Sequence, residues 1–397
     1  MSDASLKNLK TSNLKNMNTS FDDIRPYNDE EIPAAMERIA NSQMLPLLAS
    51  YVCPDKSLEE VRQMLHGFKT TDDFQRGIMY QVNEQIKHKS ITKFTYSGAE
   101  QLEKNKAYLF VSNHRDIMLD ASLLQNLLVD IGLQTSQITF GANLMMNPLV
   151  IDIGKSNKMF RVERPGGSIK EFYKSSLHLS EYIRHTIVGQ RESVWIAQRN
   201  GRTKDGNDQT DQGIIKMFCM SKTENKIAAL QELHIIPIAV SYEWESCDIL
   251  KAIELYESRT VEKYIKKPGE DLNSILTGIL QPKGRVHFHF CKGINELDLM
   301  QFNDCTHNEY HKQVARLIDQ RVIDAYRLYP NNYIAYDMRY GQERFTSHYT
   351  LEEKQRFEKH LAKLEHYSDN IDVLKDILLA IYANPLKNKL RAQQEIA

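Results

Sequence analysis

Between residues 91 and 291 short runs of β-branched and aromatic residues alternate with longer runs of helical spacing, and this alternation limits the fold more than any other feature. Seven runs read as strands, at 91–96, 108–111, 138–140, 159–162, 193–197, 234–242 and 285–291. Between them, 117–131, 168–186 and 209–231 carry apolar residues at three- and four-residue steps. Strands joined by helix-length crossovers lie parallel. The expected fold class is therefore α/β, a mixed, mostly parallel sheet with helical regions on either side.

Those flanks show no strand texture. From Asp29 the spacing is helical through Ile32, Met36 and Ile39, and Ser57 with Glu60 forms a capping box ahead of Val61, Met64, Leu65 and Phe68. Thr70 or Thr71 opens a helix with Phe74, Ile78, Val82 and Ile86 on one face. Beyond about residue 295 the pattern returns with Val314, Ile318, Val322 and Tyr326, then Phe357, Leu361 and Leu364, then Ile371, Leu374, Ile377, Leu378 and Ile381. The expected organisation is a flexible tail at 1–25, rich in Ser, Asn, Lys and Asp, a helical region at 26–90, an α/β core at 91–295 and a C-terminal helical region at 296–397. Packing on the core, oligomer formation and membrane contact are all open to the last of these.

The second strand run ends in Ser112-Asn113-His114-Arg115-Asp116, and helical spacing resumes through Leu119, Leu123, Leu124, Leu127 and Leu128. His114 thus falls on a strand-to-helix turn, where open α/β sheets gather ligands. Asp116 and Asp120 recur in step with the leucines, so both carboxylates are expected on an apolar face, where an unpaired charge is costly. His114 is the evident partner. In the alternative reading Asp116 caps the helix and His114 is a satisfied core histidine.

Three further stretches carry candidate chemistry. The strand at 159–162 delivers Arg161 and Arg164 to a Pro-Gly-Gly turn followed by Ser168, a helix cap, and arginine forks suit phosphate oxygens. A surface strand with charges paired at Glu163 is the plain alternative. The strand at 193–197 runs into Gln198-Arg199-Asn200-Gly201-Arg202-Thr203-Lys204-Asp205-Gly206, whose glycines allow close backbone approach and whose cations suit a phosphate. The run 234–240 is apolar around Pro237, which should mark an edge, an entry or a bulge.

Composition removes several classes. Lys plus Arg total 51 against 52 for Asp plus Glu, so no global field recruits nucleic acid. Five cysteines, at 53, 219, 247, 291 and 305, lack metal-ligand spacing, and with no apolar segment at the N-terminus they point to a reduced, cytoplasmic protein. No window approaches the roughly 18 apolar residues of a spanning helix. A lipid substrate would be met peripherally or on a soluble carrier. His-Arg-Asp at 114–116 lacks the kinase asparagine, since residue 121 is Ala, and His287 and His289 make only a weak metal candidate.

Asn113-His114-Arg115 followed by Asp120 resembles the Asn-His-x4-Asp signature of the glycerolipid acyltransferases, with five residues here between His114 and Asp120. Arg164 after Phe160 resembles the family's second motif, Gly201-Arg202 the third, with Asn200 where a glutamate is usual, and the run around Pro237 the fourth. The resemblance spans about residues 90–295. It implies an O-acyltransferase that moves a fatty acyl group from acyl-CoA or acyl carrier protein to a phosphorylated glycerol acceptor, glycerol 3-phosphate or lysophosphatidate, in phospholipid synthesis. His114 would be the general base and Asp120 its support, with Asp116 as rival. Arg164, with Arg161 as fallback, would bind substrate together with Asn200, Gly201 and Arg202. No metal or cofactor is implied beyond the acyl donor as co-substrate, and the protein would work in the cytoplasm, peripherally on the inner membrane face. The extra residue before Asp120 and the amide at 200 keep a catalytically weak lipid- or acyl-carrier-binding protein as an alternative, and a non-glycerol acceptor is another.

Overall fold

A computed structural model describes residues 21–145, 147–163, 168–259, 261–262, 264–367 and 370–396. Seven strands form one sheet: β1 (Ile91–Ser97), β2 (Leu109–Ser112), β3 (Gln137–Gly141), β4 (Met159–Val162), β5 (Val194–Ala197), β6 (Ile235–Tyr242) and β7 (Gly284–Phe290), in the order β1-β7-β6-β2-β5-β3-β4. Every pairing is parallel except β6 with β7. All seven expected strands are present, and the mixed, mostly parallel sheet is the one the alternation implies. Pro237 departs from expectation, because β6 is central and buried along its whole length. The β7 ladder begins one residue later, at Ile238, so the proline's missing donor costs that ladder nothing.

The N-terminal helices are α1 (Ile32–Ala40), α2 (Leu45–Val52), α3 (Leu58–Gly67) and α4 (Tyr80–Ser90). The Ser57/Glu60 capping box opens α3. A single π turn at Gln75–Met79 precedes α4 and rotates its inner face, burying Asn83, which bonds Asn126 at 2.8 Å, and leaving Val82 half-buried. The core helices follow as α5 (Leu119–Asp130), α6 (Pro148–Ser156), α7 (Ile169–Arg184), α8 (Gln212–Cys219), α9 (Lys226–Gln231), α10 (Asp248–Ser258) and α11 (Glu270–Leu280). The stretch expected as one helix at 209–231 is thus two, with Asn225 capping the second. The last helices are α12 (His307–Ala325), α13 (Pro330–Tyr340), α14 (Leu351–Leu361) and α15 (Ile371–Ile396).

Strand alternation divides the core. Phe110, Trp195, Ile236, Ile238, Val240 and Phe288 face α5 and its leucines. Leu109, Val111, Val194, Ile196, Ile235 and Ala239 face α7, α8 and α12. Residues 21–25, inside the stretch expected as a tail, pack on the second layer: Ile24 is buried and Phe21 stacks on His178 with ring centroids 5.3 Å apart. The first 20 residues of that tail lie outside the described residues. The C-terminal helices pack on the core, with Asn384 of α15 donating to the Asp205 carbonyl at 2.7 Å. Gly206 lies so close beneath α15 that a Cβ there would stand 2.0 Å from the Ile381 carbonyl oxygen. Among the described residues no helix is long and apolar enough to cross a membrane.

Candidate active site

β2 is hydrogen-bonded on both sides, and its extended backbone ends at Ser112. Asn113 then locks the turn by copying a strand pairing with its amide: Oδ1 accepts the Val240 N–H at 2.7 Å and Nδ2 donates to the Val240 carbonyl at 3.0 Å. The chain turns off the sheet at His114, whose carbonyl accepts the Thr203 N–H at 2.7 Å. Its Nδ1 lies 2.9 Å from Asp120 Oδ2, and its ring meets the Trp195 ring edge-on at 5.5 Å.

Asp120 is fully buried and sits at the first turn of α5, where the helix dipole favours a carboxylate. Oδ2 also accepts the amides of Arg115 at 2.5 Å and Asp116 at 2.9 Å, while Oδ1 accepts Tyr242 Oη at 2.8 Å. A carboxylate so surrounded by donors takes a proton donor from His114 as well, which puts the neutral imidazole's hydrogen on Nδ1 and the free lone pair on Nε2. The histidine side chain keeps 13% of its surface exposed while its partner keeps none. An inner anchor and an outer reactive edge result.

Asp116 does something else. Its Oδ1 accepts the amides of Met118 at 2.9 Å and Leu119 at 2.8 Å, and its Oδ2 accepts Ser246 Oγ. The helix starts only at Leu119, so Asp116 never shares the leucine face. Asp116 braces the turn that leads into α5, two residues ahead of the N-cap Met118, and the pairing with His114 belongs to Asp120. Residues 116–118 form a non-helical turn, which is how a five-residue gap still brings Asp120 back to the ring.

Beneath the turn lies an ionic cluster that sequence reasoning missed. Arg115, 1% exposed, donates to Asp208 at 2.5 Å and Glu245 at 3.2 Å and stacks on Tyr326. Lys251 Nζ donates to Glu245 at 2.6 Å and to the Arg115 carbonyl at 2.7 Å. Two cations and two carboxylates balance, and removing either member would strand a buried charge. The charged partners lie 93 to 136 residues from Arg115, and no local spacing announces them.

The loop after β5 supplies unspent hydrogen-bonding capacity. Of the twelve buried side-chain N and O atoms without a partner among the described residues, six belong to Gln198, Arg202, Thr203, Asp208 and Thr210. Native interiors leave few such groups, so their concentration marks a place for a polar ligand or water. Arg202 is buried with Nη1 unpartnered, and the Thr203–His114 bond ties its loop to the turn at His114. Its charge also reaches Cys247, whose thiol burial and Asp116 push up and Arg202 opposes.

The other expected binding residues are distributed differently. Gly201 takes φ +73° at the loop's exposed tip beside exposed Asn200. Arg161 is half-exposed on edge strand β4 and pairs with Glu163 at 2.7 Å. β3 and β5 separate β4 from β2, a spread of about 14 Å at normal strand spacing. Arg161 is therefore a surface ion pair and is not brought to His114. Arg164 lies outside the described residues. Ser168 does cap α7, with Glu171 completing the box. His287 is satisfied by Thr95 and Ser97 hydroxyls at 2.8 and 2.9 Å, and no group of three His, Cys, Asp or Glu among the described residues could hold a metal ion.

Residues 93–241, from β1 to the end of β6, match the model of the Acyltransferase family. Among solved structures the chain is similar to the 1-acyl-sn-glycerophosphate (LPA) acyltransferase PlsC from Thermotoga maritima, at 11% identity and a TM-score of 0.34, over 75% of this chain and 97% of that one. No curated protein matches it.

Proposed function

We propose that the core of this chain, whose residues 93–241 match the Acyltransferase family model, transfers a fatty acyl group from acyl-CoA or acyl carrier protein to the hydroxyl of a glycerol phosphate-type acceptor, glycerol 3-phosphate or lysophosphatidate, in phospholipid synthesis. The observation that carries this reading is the His114–Asp120 pair at 2.9 Å, anchored through Nδ1 so that Nε2 is left to act.

In the proposed reaction His114 Nε2 takes the acceptor's hydroxyl proton as that oxygen adds to the thioester carbonyl carbon. The carbonyl π pair moves to its oxygen, and when it returns the carbon–sulfur bond breaks. The imidazolium gives its proton to the departing thiolate, so an ester and a free thiol leave and the histidine is restored. Asp120 holds the tautomer and stabilises the imidazolium between the two transfers, a role worth about 10²–10⁴ in rate. No acyl-enzyme is required. Arg202, buried with a free donor, would hold the acceptor's phosphate, and Arg164 remains a second candidate.

The test is direct. Purified protein is incubated with labelled acyl-CoA or acyl carrier protein and with glycerol 3-phosphate or lysophosphatidate. Ester product with one of these pairs supports the proposal. If no acceptor is acylated while lipid or carrier binds saturably, the binding-protein alternative replaces it.

A further inference from the structure

The amino ends of β2 and β5 border a cavity of about 270 Å³ that the proposed reaction does not use. Buried Tyr108, Phe110 and Leu128 form its floor, and the side chains over them are polar or cationic, with Lys104, Lys106 and Arg191 among them. No carboxylate lines it. Tyr108 stands six residues before His114, so at about 3.3 Å per extended residue the cavity lies roughly 20 Å from the imidazole. Open α/β sheets gather their reacting ligands at the other, carboxyl end of the strands.

Two of the cations are uncommitted. Among the described residues neither Lys104 nor Arg191 forms an ion pair or a side-chain hydrogen bond, whereas Lys106 shares Glu103 at 3.3 Å. The last carbonyls of α5 account in part for Lys104, since a Cβ on Gly132 beyond that helix would stand 3.7 Å from its Nζ. Nothing comparable accounts for Arg191. Its backbone is held at φ +57°, costly for a residue with a Cβ, by the Gln190 amide on the His185 carbonyl at 2.9 Å and the Glu192 amide on the Thr186 carbonyl at 3.0 Å. The adjacent acid, Glu192, is spent on Lys158 at 2.8 Å and Gln137 at 2.7 Å. Backbone strain of this kind collects at ligand clamps.

The lining sets the ligand. A guanidinium fork and ammonium groups with no opposing carboxylate fit the oxygens of a phosphate. Ser193 Oγ accepts the Tyr108 amide at 3.0 Å, which leaves its own proton to donate, and Gln134 adds an amide, so both suit hydroxyl groups. The volume lies at the small end of ligand cavities, too small for a dinucleotide. At the rim Lys104, Gln134 and Arg191 are exposed and polar, with no exposed apolar side chain to enter a bilayer, so the ligand is a soluble one.

We propose that this cavity binds a compact, hydroxylated phosphate ester. Its floor belongs to the start of β2 and the last turns of α5, whose opposite ends carry His114 and Asp120. An occupant bears on both members of that pair without touching either, as an effector and not as a substrate. Binding is measured without turnover, so it stands or falls apart from the proposed reaction.

The experiment is isothermal titration calorimetry of the full chain with inorganic phosphate and with ribose 5-phosphate, against ribose and sulfate at equal ionic strength. The wild type should bind ribose 5-phosphate at one site, at least about tenfold more tightly than ribose or sulfate, and inorganic phosphate more weakly at the same site. Lys104→Ala and Arg191→Gly should each weaken ribose 5-phosphate about tenfold or more, the scale of one charge-assisted pair. Arg191→Gly should not lower the melting temperature, because glycine accepts φ +57° without strain. Arg202→Gln, at the proposed acceptor site, should bind as the wild type does. No saturable binding of either probe, sulfate bound as tightly as ribose 5-phosphate, unchanged binding in either cavity variant, or an equal loss in Arg202→Gln would overturn the proposal.

Discussion

Tyr242 Oη donates to Asp120 Oδ1 at 2.8 Å, on the carboxylate oxygen that His114 does not use. Burial, and then the neighbouring Asp120 charge, hold this phenol protonated far above its ordinary range, so it serves only as a donor at working pH. The last residue of β6 thereby holds the carboxylate at the start of α5 in place.

Tyr242→Phe removes that donor and leaves Asp120 Oδ1 buried without it. kcat should fall by up to about tenfold, the scale of one lost hydrogen bond to a charged group, with KM little changed. An unchanged kcat with a lower melting temperature would mean that the hydroxyl only supports the fold.

Asp120 and Asp116 should separate cleanly. Asp120→Asn keeps the shape but loses the charge beside His114, and kcat should fall by about 10²–10⁴. Asp116→Asn weakens the hydrogen bonds that brace the turn ahead of α5, so thermal unfolding should register about 1 kcal/mol of lost stability with a much smaller change in kcat. Steady-state kinetics and melting curves on the two variants check the assignment.

Arg202→Gln should raise KM for a phosphorylated acceptor at least about tenfold, the scale of a lost charge-assisted pair, while an unphosphorylated glycerol acceptor is unaffected. Equal effects on both acceptors would place the phosphate elsewhere.

Asp319 supplies a pH signature of the fold. Burial against the 198–211 loop, where Asp208 also repels it, pushes its carboxyl up from 3.8 to about 6, although Thr210 hydrogen bonds work in the other direction. The folded state holds this proton more tightly than the unfolded chain, so the group's stabilisation is complete below pH 3.8 and is lost as pH rises through about 6. Asp319→Asn keeps an acceptor for the Thr210 amide, bonded at 2.7 Å, and should flatten that decline, leaving the variant about 2 kcal/mol more stable at neutral pH. Denaturant unfolding at pH 4, 5, 6 and 7 measures it.

Much of the fold was legible because strand and helix periods are local properties of the chain. The seven strands and the turn at His114 follow from them. The choice between Asp116 and Asp120 was not legible, since it depends on α5 starting at Leu119 and not two residues earlier. Helical register therefore misplaced Asp116, and the family signature, whose four-residue gap falls one short of Asp120, left the two carboxylates as rivals. Arg161 looked like a phosphate ligand by composition, but strand order put β4 at the sheet's edge. The Arg115 cluster and the Tyr242 hydroxyl join residues more than 90 positions apart, and no periodicity reaches that far.

The central claim is that His114 takes the acceptor's proton. Single-turnover acyl transfer by His114→Ala, compared with wild type at matched folding and saturating donor, tests it most directly. A rate at least about 10³-fold lower with donor binding intact is the predicted result. A rate within about tenfold of wild type would contradict it.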